Sequence, residues 1–165
     1  MSKDIRTRKG TADDLPKVLD LIVELAVFEK EPNAVENNLE MLLENGFGDQ
    51  PVFHLIMAEI EGETIGMAMY YYCHSSWKGK MIHLDDLVVF EKHRGKGVGT
   101  ALLKALFDEG EANHVKGIRW EVLDWNEPAI RFYKKIGMRL DETWIGCKAF
   151  GSRLGDVHQT LKKSV

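Results

Sequence analysis

A glycine-rich loop between an apolar strand and a helix is the feature that most limits the possible folds of this chain. The run Leu87-Val88-Val89-Phe90 predicts the end of a buried strand, and apolar residues recur at helical spacing over residues 98–106. Glycines lie between them at positions 95, 97 and 99. Glycine lets a backbone approach a ligand closely, and free N–H groups at a helix N-terminus favour phosphate oxygens. This order predicts a seat for a pyrophosphate, with a plain structural turn as the alternative.

The charge and the spacing of the loop narrow the choice of phosphate ligand. Between Glu91 and Lys104 there are four Lys or Arg residues and one acid, in a chain of net charge −4. The dinucleotide pattern Gly-x-Gly-x-x-Gly fails, because its last position falls on Thr100 or Leu102. The P-loop pattern fails too, because Lys96 is followed by glycine rather than by Ser or Thr.

The rest of the chain alternates between strand and helix patterns. Strands are predicted over residues 5–8, 53–59, 64–72, 81–90, 117–122, 139–145 and 147–150. Helices are predicted over residues 13–28, 36–44, from the glycine loop to 113, 126–136 and 155–163. Capping residues predict several helix ends, namely Thr11, Asn45-Gly46, Asn126, Pro128 and Gly137. This order predicts the α/β class with a mixed central sheet.

Two adjacent aspartates interrupt the alternation of the long strand over residues 81–90. Neighbouring side chains on a regular strand face opposite ways, so Asp85 and Asp86 cannot both face solvent. Either one of them points toward the core, or a β-bulge lies at this position.

Composition bounds the domain organisation and the compartment. A chain of 165 residues with 44% apolar content predicts one domain over residues 1–165. The acidic balance argues against nucleic-acid binding, and no apolar run is long enough for a membrane span or a signal peptide. Cys73 and Cys147 lack a C-x-x-C partner, which favours a reducing, cytoplasmic setting. The six histidines show no metal-binding spacing, so no metal is expected.

Two segments together resemble a known family. The strand ending Leu87-Val88-Val89, followed by Arg94-x-x-Gly97-x-Gly99, resembles motif A of the GCN5-related N-acetyltransferases. The segment from Trp125 through Tyr133 to Met138 resembles motif B of the same family. The resemblance implies a mixed sheet flanked by helices on both faces, and it implies acetyl-CoA as co-substrate.

The resemblance also implies roles for particular residues. The loop amides would bind the pyrophosphate of acetyl-CoA, and the strand amides would pair with its pantetheine arm. The implied cofactor-binding residues are Leu87, Val88, Val89, Arg94, Gly95, Lys96, Gly97, Val98, Gly99, Thr100, Asn126, Pro128 and Ala129. Tyr133 falls at the position of the family's general acid; from its sequence neighbours alone it could equally be a packed aromatic.

A narrower resemblance is to the diamine acetyltransferases of the spermidine/spermine N1 type and their thialysine-acetylating relatives. It rests on segments 42–48, 68–71, 84–86 and 125–128, and it fades after Gly137. It implies a small cationic amine as substrate, direct transfer in a ternary complex, and a homodimer. The implied substrate-binding residues are Phe28, Glu29, Asp85, Asp86 and Glu121.

Two alternatives remain open at this point. The acceptor could instead be thialysine, another amino-acid side chain or a lysine of a protein. A non-catalytic acyl-CoA sensor would keep the loop but would need neither Tyr133 nor the acidic pair. The residues also leave open which group removes the proton from the amine.

Overall fold

The computed structural model describes residues 4–164. By contacts the chain divides into two compact units, Met1–Glu121 and Val122–Val165. The strands are β1 (Arg6–Lys9), β2 (His54–Ile60), β3 (Glu63–Ser75), β4 (Gly79–Val89) and β5 (Ile118–Arg119). The helices are α1 (Leu15–Phe28), α2 (Leu39–Phe47), α3 (Val98–Ala112), α4 (Glu127–Lys135) and α5 (Ser152–Lys163). The α/β class predicted from the sequence is confirmed.

The first unit is built on one five-stranded sheet with strand order β1-β2-β3-β4-β5. The first four strands pair antiparallel, and β5 pairs with β4 in parallel. A parallel neighbour needs a crossover connection, and α3 supplies it between β4 and β5. The sheet is therefore mixed, as the sequence predicts.

Helices cover both faces of this sheet. On one face Leu55, Met57 and Met67 join a buried core with Val18 of α1 and Leu42 of α2. Because successive strand side chains alternate, the residues between them point to the opposite face. There the Tyr72 hydroxyl donates a 2.9 Å hydrogen bond to Glu109 of α3. The predicted arrangement of helices on both faces is confirmed.

The start of α1 is fixed by a buried carboxylate. A 3₁₀ turn, Ala12–Asp14, precedes the helix, and the backbone N–H of Thr11 donates to Asp14 at 2.8 Å. Both terminal guanidinium nitrogens of Arg8 donate to Asp14 at 2.7 Å. These bonds, from Arg8 above all, hold the pKa of Asp14 below its usual value. The bonds between Arg8 and Asp14 thus link β1 to the start of α1.

Two predicted elements have the wrong bounds. The second helix does not stop at Asn45-Gly46; it begins at Leu39, where Asn38 accepts the Met41 N–H at 3.0 Å, and continues through Gly46. Gly46 is needed for packing instead, because the Phe53 ring occupies the place of a Cβ there. The strand predicted over 117–122 shrinks to β5, which pairs with β4 only at Ile82 and His83, just before β4 changes register.

The second unit contains α4 and α5 and, within residues 122–164, no strand. The strands predicted over 139–145 and 147–150 are therefore wrong. Asp141 accepts hydrogen bonds from the Thr143 N–H at 3.0 Å and from the Thr143 hydroxyl at 2.6 Å. This local turn competes with extended backbone. The predicted ends of α4 are confirmed, because Asn126 caps it and Gly137 follows it with φ +89°.

Candidate active site

A β-bulge places the two adjacent aspartates beside α1. Met69 pairs with Asp86, but Tyr70 pairs with Leu84, so Asp85 is the extra residue. The bulge therefore confirms one of the two expectations from the sequence. Asp85 is exposed, whereas Asp86 is partly buried on the face covered by α1.

The surroundings of Asp86 change its acidity. Burial disfavours the charged carboxylate, and the negative charges of Asp85 and Glu29 act in the same direction. Together they raise the pKa of Asp86 to about 7. A carboxyl with this pKa can take up or release a proton at neutral pH.

Glu29 and Asp86 meet in the lining of one surface cavity of about 280 Å³. The polar residues that line it are Glu29, Glu31, Glu36, Asn37 and Asp86. The apolar residues that line it are Ile22, Leu25, Ala26, Ala34 and Val35. Among residues 4–164, every ionisable side chain in this lining is a carboxylic acid. The cavity therefore suits a cation that carries an apolar chain.

A buried acceptor adds to this acidic lining. The Oδ1 atom of Asn37 is buried, and no described residue donates a hydrogen bond to it. A buried carbonyl without a partner costs about 1–3 kcal/mol, which a ligand N–H would recover.

Sequence reasoning found part of this cavity. It named Glu29 and Asp86 but missed Glu31, Glu36 and Asn37, which lie between α1 and α2. The sequence did contain a sign of the missed residues, because residues 29–36 include three glutamates and a single lysine.

The other three predicted substrate residues, Phe28, Asp85 and Glu121, lie outside the cavity lining. Phe28 is 37% exposed, and the guanidinium carbon of Arg94 sits 5.1 Å from its ring centroid. Glu121 is exposed after β5; the pKa of Tyr71 is raised chiefly by burial, and the charge of Glu121 makes a small addition.

The glycine loop leaves an open concave stretch of backbone at the start of α3. Gly95 and Gly97 have φ of +73° and +87°, a region that glycine adopts without strain. A Cβ added at Gly95 or Gly99 would meet nothing within 4 Å, and one at Gly97 would meet only Ile5 at 4.0 Å. The backbone at these glycines is therefore open to close approach by a ligand, and it leads into the N-terminus of α3, where helix amides favour phosphate oxygens.

The residues around the glycines differ in burial, and two of their side chains bond to nearby backbone. Val98 is buried, Thr100 is exposed, and the Lys96 ammonium donates to the Lys92 carbonyl at 2.6 Å. The Arg94 Nε donates to the Val89 carbonyl at 2.9 Å. Both cationic side chains thus touch backbone of the same segment.

The last residues of β4 have no strand neighbour on one edge of the sheet. On one side Leu87, Val88 and Val89 pair with β3, opposite Ala68, Met67 and Gly66. On the other side β5 accompanies β4 only at two positions near its start. No strand of the described sheet pairs with that edge beyond His83, so an extended amide-bearing arm fits there.

The second unit holds the remaining predicted residues on α4. The Asn126 side chain accepts the Ala129 N–H at 3.4 Å, and Pro128 occupies the first turn. Tyr133 is 8% exposed, and burial raises the pKa of its phenol. The phenol therefore stays protonated at neutral pH, as a general acid must.

The described residues provide neither a metal-ligand cluster nor a membrane-spanning helix. Within 4–164, no group of three or more His, Cys, Asp or Glu side chains is placed to hold a metal ion. No helix in that range has the length and apolar character needed to cross a membrane.

The chain matches a known protein family over most of its length. Residues 17–138 match the model of the acetyltransferase (GNAT) family. The chain belongs to the GNAT family of acetyltransferases. It is an N-acetyltransferase, and acetyl-CoA is its co-substrate.

Two relatives carry names of amine acetyltransferases or of proteins like them. The chain is 32% identical over 163 residues to thialysine N-epsilon-acetyltransferase of Mus musculus, covering 92% of this chain and 96% of that protein. It is 34% identical over 147 residues to spermidine/spermine N(1)-acetyltransferase-like protein 1 of Homo sapiens, covering 83% of this chain and 21% of that protein.

Solved structures share the GNAT fold. An integron cassette protein from the mobile metagenome of V. cholerae has a TM-score of 0.78 at 21% identity, over 96% of this chain and 99% of that one. An aminoglycoside acetyltransferase from an uncultured soil metagenomic sample has a TM-score of 0.75 at 18% identity, over 89% and 96%. At these identities the likeness concerns the fold alone.

Proposed function

We propose that this GNAT enzyme acetylates a primary amine of a small polycation, a diamine or polyamine, by direct attack on acetyl-CoA in a ternary complex. The observation that carries the proposal is the cavity beside Asp86, whose ionisable lining is entirely acidic. Its apolar wall suits the methylene chain between two ammonium groups, and its carboxylates suit the ammonium groups themselves.

The same lining disfavours an acceptor that carries a carboxylate. Free lysine or thialysine has an α-carboxylate, which would enter a cavity lined by four acids. Two like charges held 4 Å apart repel by about 1 kcal/mol in water and about 4 kcal/mol near a protein surface. A diamine of the same length lacks this penalty.

The transfer itself requires two proton movements. A free alkylamine has a pKa near 10.4, so only roughly 0.04% is neutral at pH 7. Asp86 accepts a proton from the bound ammonium, directly or through a water molecule. The amine nitrogen then forms a bond to the acetyl carbon while the bond from that carbon to sulfur breaks. Tyr133 supplies the proton that converts the leaving thiolate into the thiol of CoA.

Acetyl-CoA is assigned to the loop and the free strand edge. The amides around Gly97 and Gly99 bind its pyrophosphate, and the edge of β4 at residues 87–89 receives the pantetheine arm. The open space over the glycines and the missing strand neighbour support this assignment. The family match runs across the boundary between the two units, which supports one N-acetyltransferase domain over residues 1–165.

Thialysine is the second candidate acceptor, and one observation favours it. Relatives named thialysine N-epsilon-acetyltransferase, from Mus musculus and Bos taurus, are 32% and 35% identical to this chain and are covered over most of their length. A thialysine enzyme would have to place the α-carboxylate away from the acidic cavity.

The distinguishing experiment measures thiol release from acetyl-CoA with a panel of amines. The panel contains putrescine, spermidine, spermine, lysine, thialysine and a lysine peptide. We expect the highest kcat/KM with the diamine or polyamines. Turnover with thialysine alone would contradict the proposal and establish the second candidate, and turnover with the peptide alone would establish a protein acceptor.

The pH profile tests Asp86 as the proton acceptor. Because its pKa is about 7, kcat/KM for the amine should rise with pH and level off above about pH 7. Asp86→Asn should lose this plateau, so that its much lower kcat/KM keeps rising toward the pKa of the amine. Steady-state rates at saturating acetyl-CoA, from pH 5 to pH 10, measure both profiles. An unchanged plateau in Asp86→Asn would remove the role.

Asp85→Asn is the matched control for that profile. It deletes a neighbouring charge but keeps Asp86, so the plateau should persist. Its onset should move to lower pH, because the Asp85 charge helps to raise the pKa of Asp86. The KM of the amine should rise more than kcat falls.

The free energy of unfolding should depend on pH through the Asp86 carboxyl, and it should fall as the pH rises. The pKa of Asp86 rises from 3.8 to about 7 in the folded protein, so the native state binds more protons than the unfolded chain between those pH values. This stabilisation is complete below about pH 4 and is lost as the pH rises through about 7. Asp86→Asn should therefore raise Tm more at pH 8 than at pH 5, and equal shifts would contradict the raised pKa.

The proposal also includes a homodimer and a cytoplasmic location. Leu154, Val157 and Leu161 recur on one face of α5 and are 65%, 43% and 60% exposed, which supports burial against a second copy in a homodimer. Cys73 and Cys147 are free thiols, which supports a reducing, cytoplasmic setting.

A further inference from the structure

A single carboxylate on α1 contacts the segment that leads into the glycine loop. The Oε1 atom of Glu24 accepts the backbone N–H of Glu91 at 2.7 Å. The same oxygen accepts Nη2 of Arg94 at 3.3 Å. Glu24 therefore fixes both the start of the 3₁₀ turn Glu91–His93 and the arginine that follows it.

Arg94 is held at three points by residues of β4 and α1. Its Nε donates to the Val89 carbonyl at 2.9 Å, its Nη2 pairs with Glu24, and its guanidinium lies over the Phe28 ring. A planar guanidinium suits this combination of a fork of donors and a stacking face.

We infer that Glu24 is a positioning residue for acetyl-CoA. Its bonds to Arg94 and to the Glu91 N–H, together called the clasp, hold the amides of the glycine loop in their binding geometry. The two sides of this clasp differ in burial. α1 is anchored in the core through Leu15, Val18 and Leu21, whereas the loop over residues 94–97 is exposed. The clasp therefore restrains the loop rather than the helix.

A competing account gives Arg94 a direct contact with the phosphates of acetyl-CoA. The two accounts predict opposite signs for the neutral variant Glu24→Gln. If Arg94 binds phosphate, removing its carboxylate partner frees the guanidinium and leaves binding equal or tighter. If the clasp positions the loop, the same change weakens binding.

The experiment measures acetyl-CoA affinity by isothermal titration calorimetry on the full chain. An exposed ion pair is worth up to about 1 kcal/mol, so Glu24→Gln should raise Kd about three- to fivefold. Glu24→Ala should raise it further, because it also removes the acceptor of the Glu91 N–H. An unchanged or lower Kd in Glu24→Gln would overturn the inference.

Glu63→Gln is the matched control. Glu63 pairs with Lys92 at 3.0 Å beside the same turn, and both side chains are largely exposed. This variant removes one negative charge near the loop without touching the clasp, so its Kd for acetyl-CoA should equal the wild-type value. A rise equal to that of Glu24→Gln would show a general charge effect and overturn the inference.

A structural role alone would leave a different signature. With the clasp account, Glu24→Gln raises the KM of acetyl-CoA, while the KM of the amine and Tm stay at control values. A fall in Tm together with a rise in both KM values would refute a positioning role. The binding measurement needs no amine, so its failure is distinguishable from failure of the proposed acceptor class.

Discussion

Substituting valine for Gly97 is expected to abolish acetyl-CoA binding. The residue has φ +87°, and the space beside it is open except for Ile5 at 4.0 Å. A valine side chain would project into the space that we assign to the pyrophosphate. The positive φ adds about 1–3 kcal/mol of backbone strain for a non-glycine residue. Calorimetry with acetyl-CoA, at concentrations that saturate the wild type, should show no heat of binding.

The effect of backbone strain in Gly97→Val must be distinguished from the loss of the phosphate-binding space. Gly62 provides the control, because its φ is +81° and a Cβ there also meets nothing within 4 Å. It lies in the turn between β2 and β3. Gly62→Val should lower Tm as Gly97→Val does, yet it should bind acetyl-CoA normally. Normal binding by Gly97→Val would contradict the assignment of the loop.

Replacing Tyr133 with phenylalanine is the second change with a large expected effect. Phenylalanine keeps the ring of this buried side chain but removes the hydroxyl that we assign as proton donor to the leaving thiolate. General-acid catalysis contributes about 10²–10⁴ to a rate, so kcat should fall within that range. Acetyl-CoA affinity should change little, and single-turnover thiol release measures the loss of the chemical step.

Tyr72→Phe is the corresponding control for loss of a tyrosine hydroxyl. The Tyr72 hydroxyl donates to Glu109 of α3, on the face of the sheet opposite α1. Its removal deletes one hydrogen bond to a charged group, which should lower the free energy of unfolding by about 1.5–3 kcal/mol. Tm should fall accordingly. It should leave kcat unchanged. A Tyr133→Phe enzyme with wild-type kcat would exclude the general-acid role.

The geometry of the glycine loop, to which we assign acetyl-CoA, was accessible to sequence reasoning because it is local. A strand, three glycines and a helix are consecutive in the chain, and backbone geometry follows from the glycines themselves. The bulge was one of two possibilities that the sequence offered, because Asp85 and Asp86 break the alternation of the strand, and the pairing of β3 with β4 shows it. The caps of α4 follow from Asn126 and Gly137 by the same local logic.

The acidic cavity that we assign to the acceptor was only partly predictable because it is assembled from separated segments. Asp86 comes from β4, Glu29 follows α1, and the residues missed by the sequence lie before α2. No spacing rule brings these three segments together; the packing of α1 on the sheet does. The failed strands after Gly137 have a different cause, since a side-chain turn at Asp141 overrides the apolar pattern.

The most direct test of the proposed acceptor class compares cadaverine with L-lysine at saturating acetyl-CoA. The two molecules share five carbons between their amino groups and differ by the α-carboxylate alone. The acidic lining around Asp86 predicts that kcat/KM for cadaverine exceeds that for lysine at least about tenfold, a difference of about 1.4 kcal/mol. Equal values, or a higher value for lysine, would contradict the assignment of the cavity to a carboxylate-free cation.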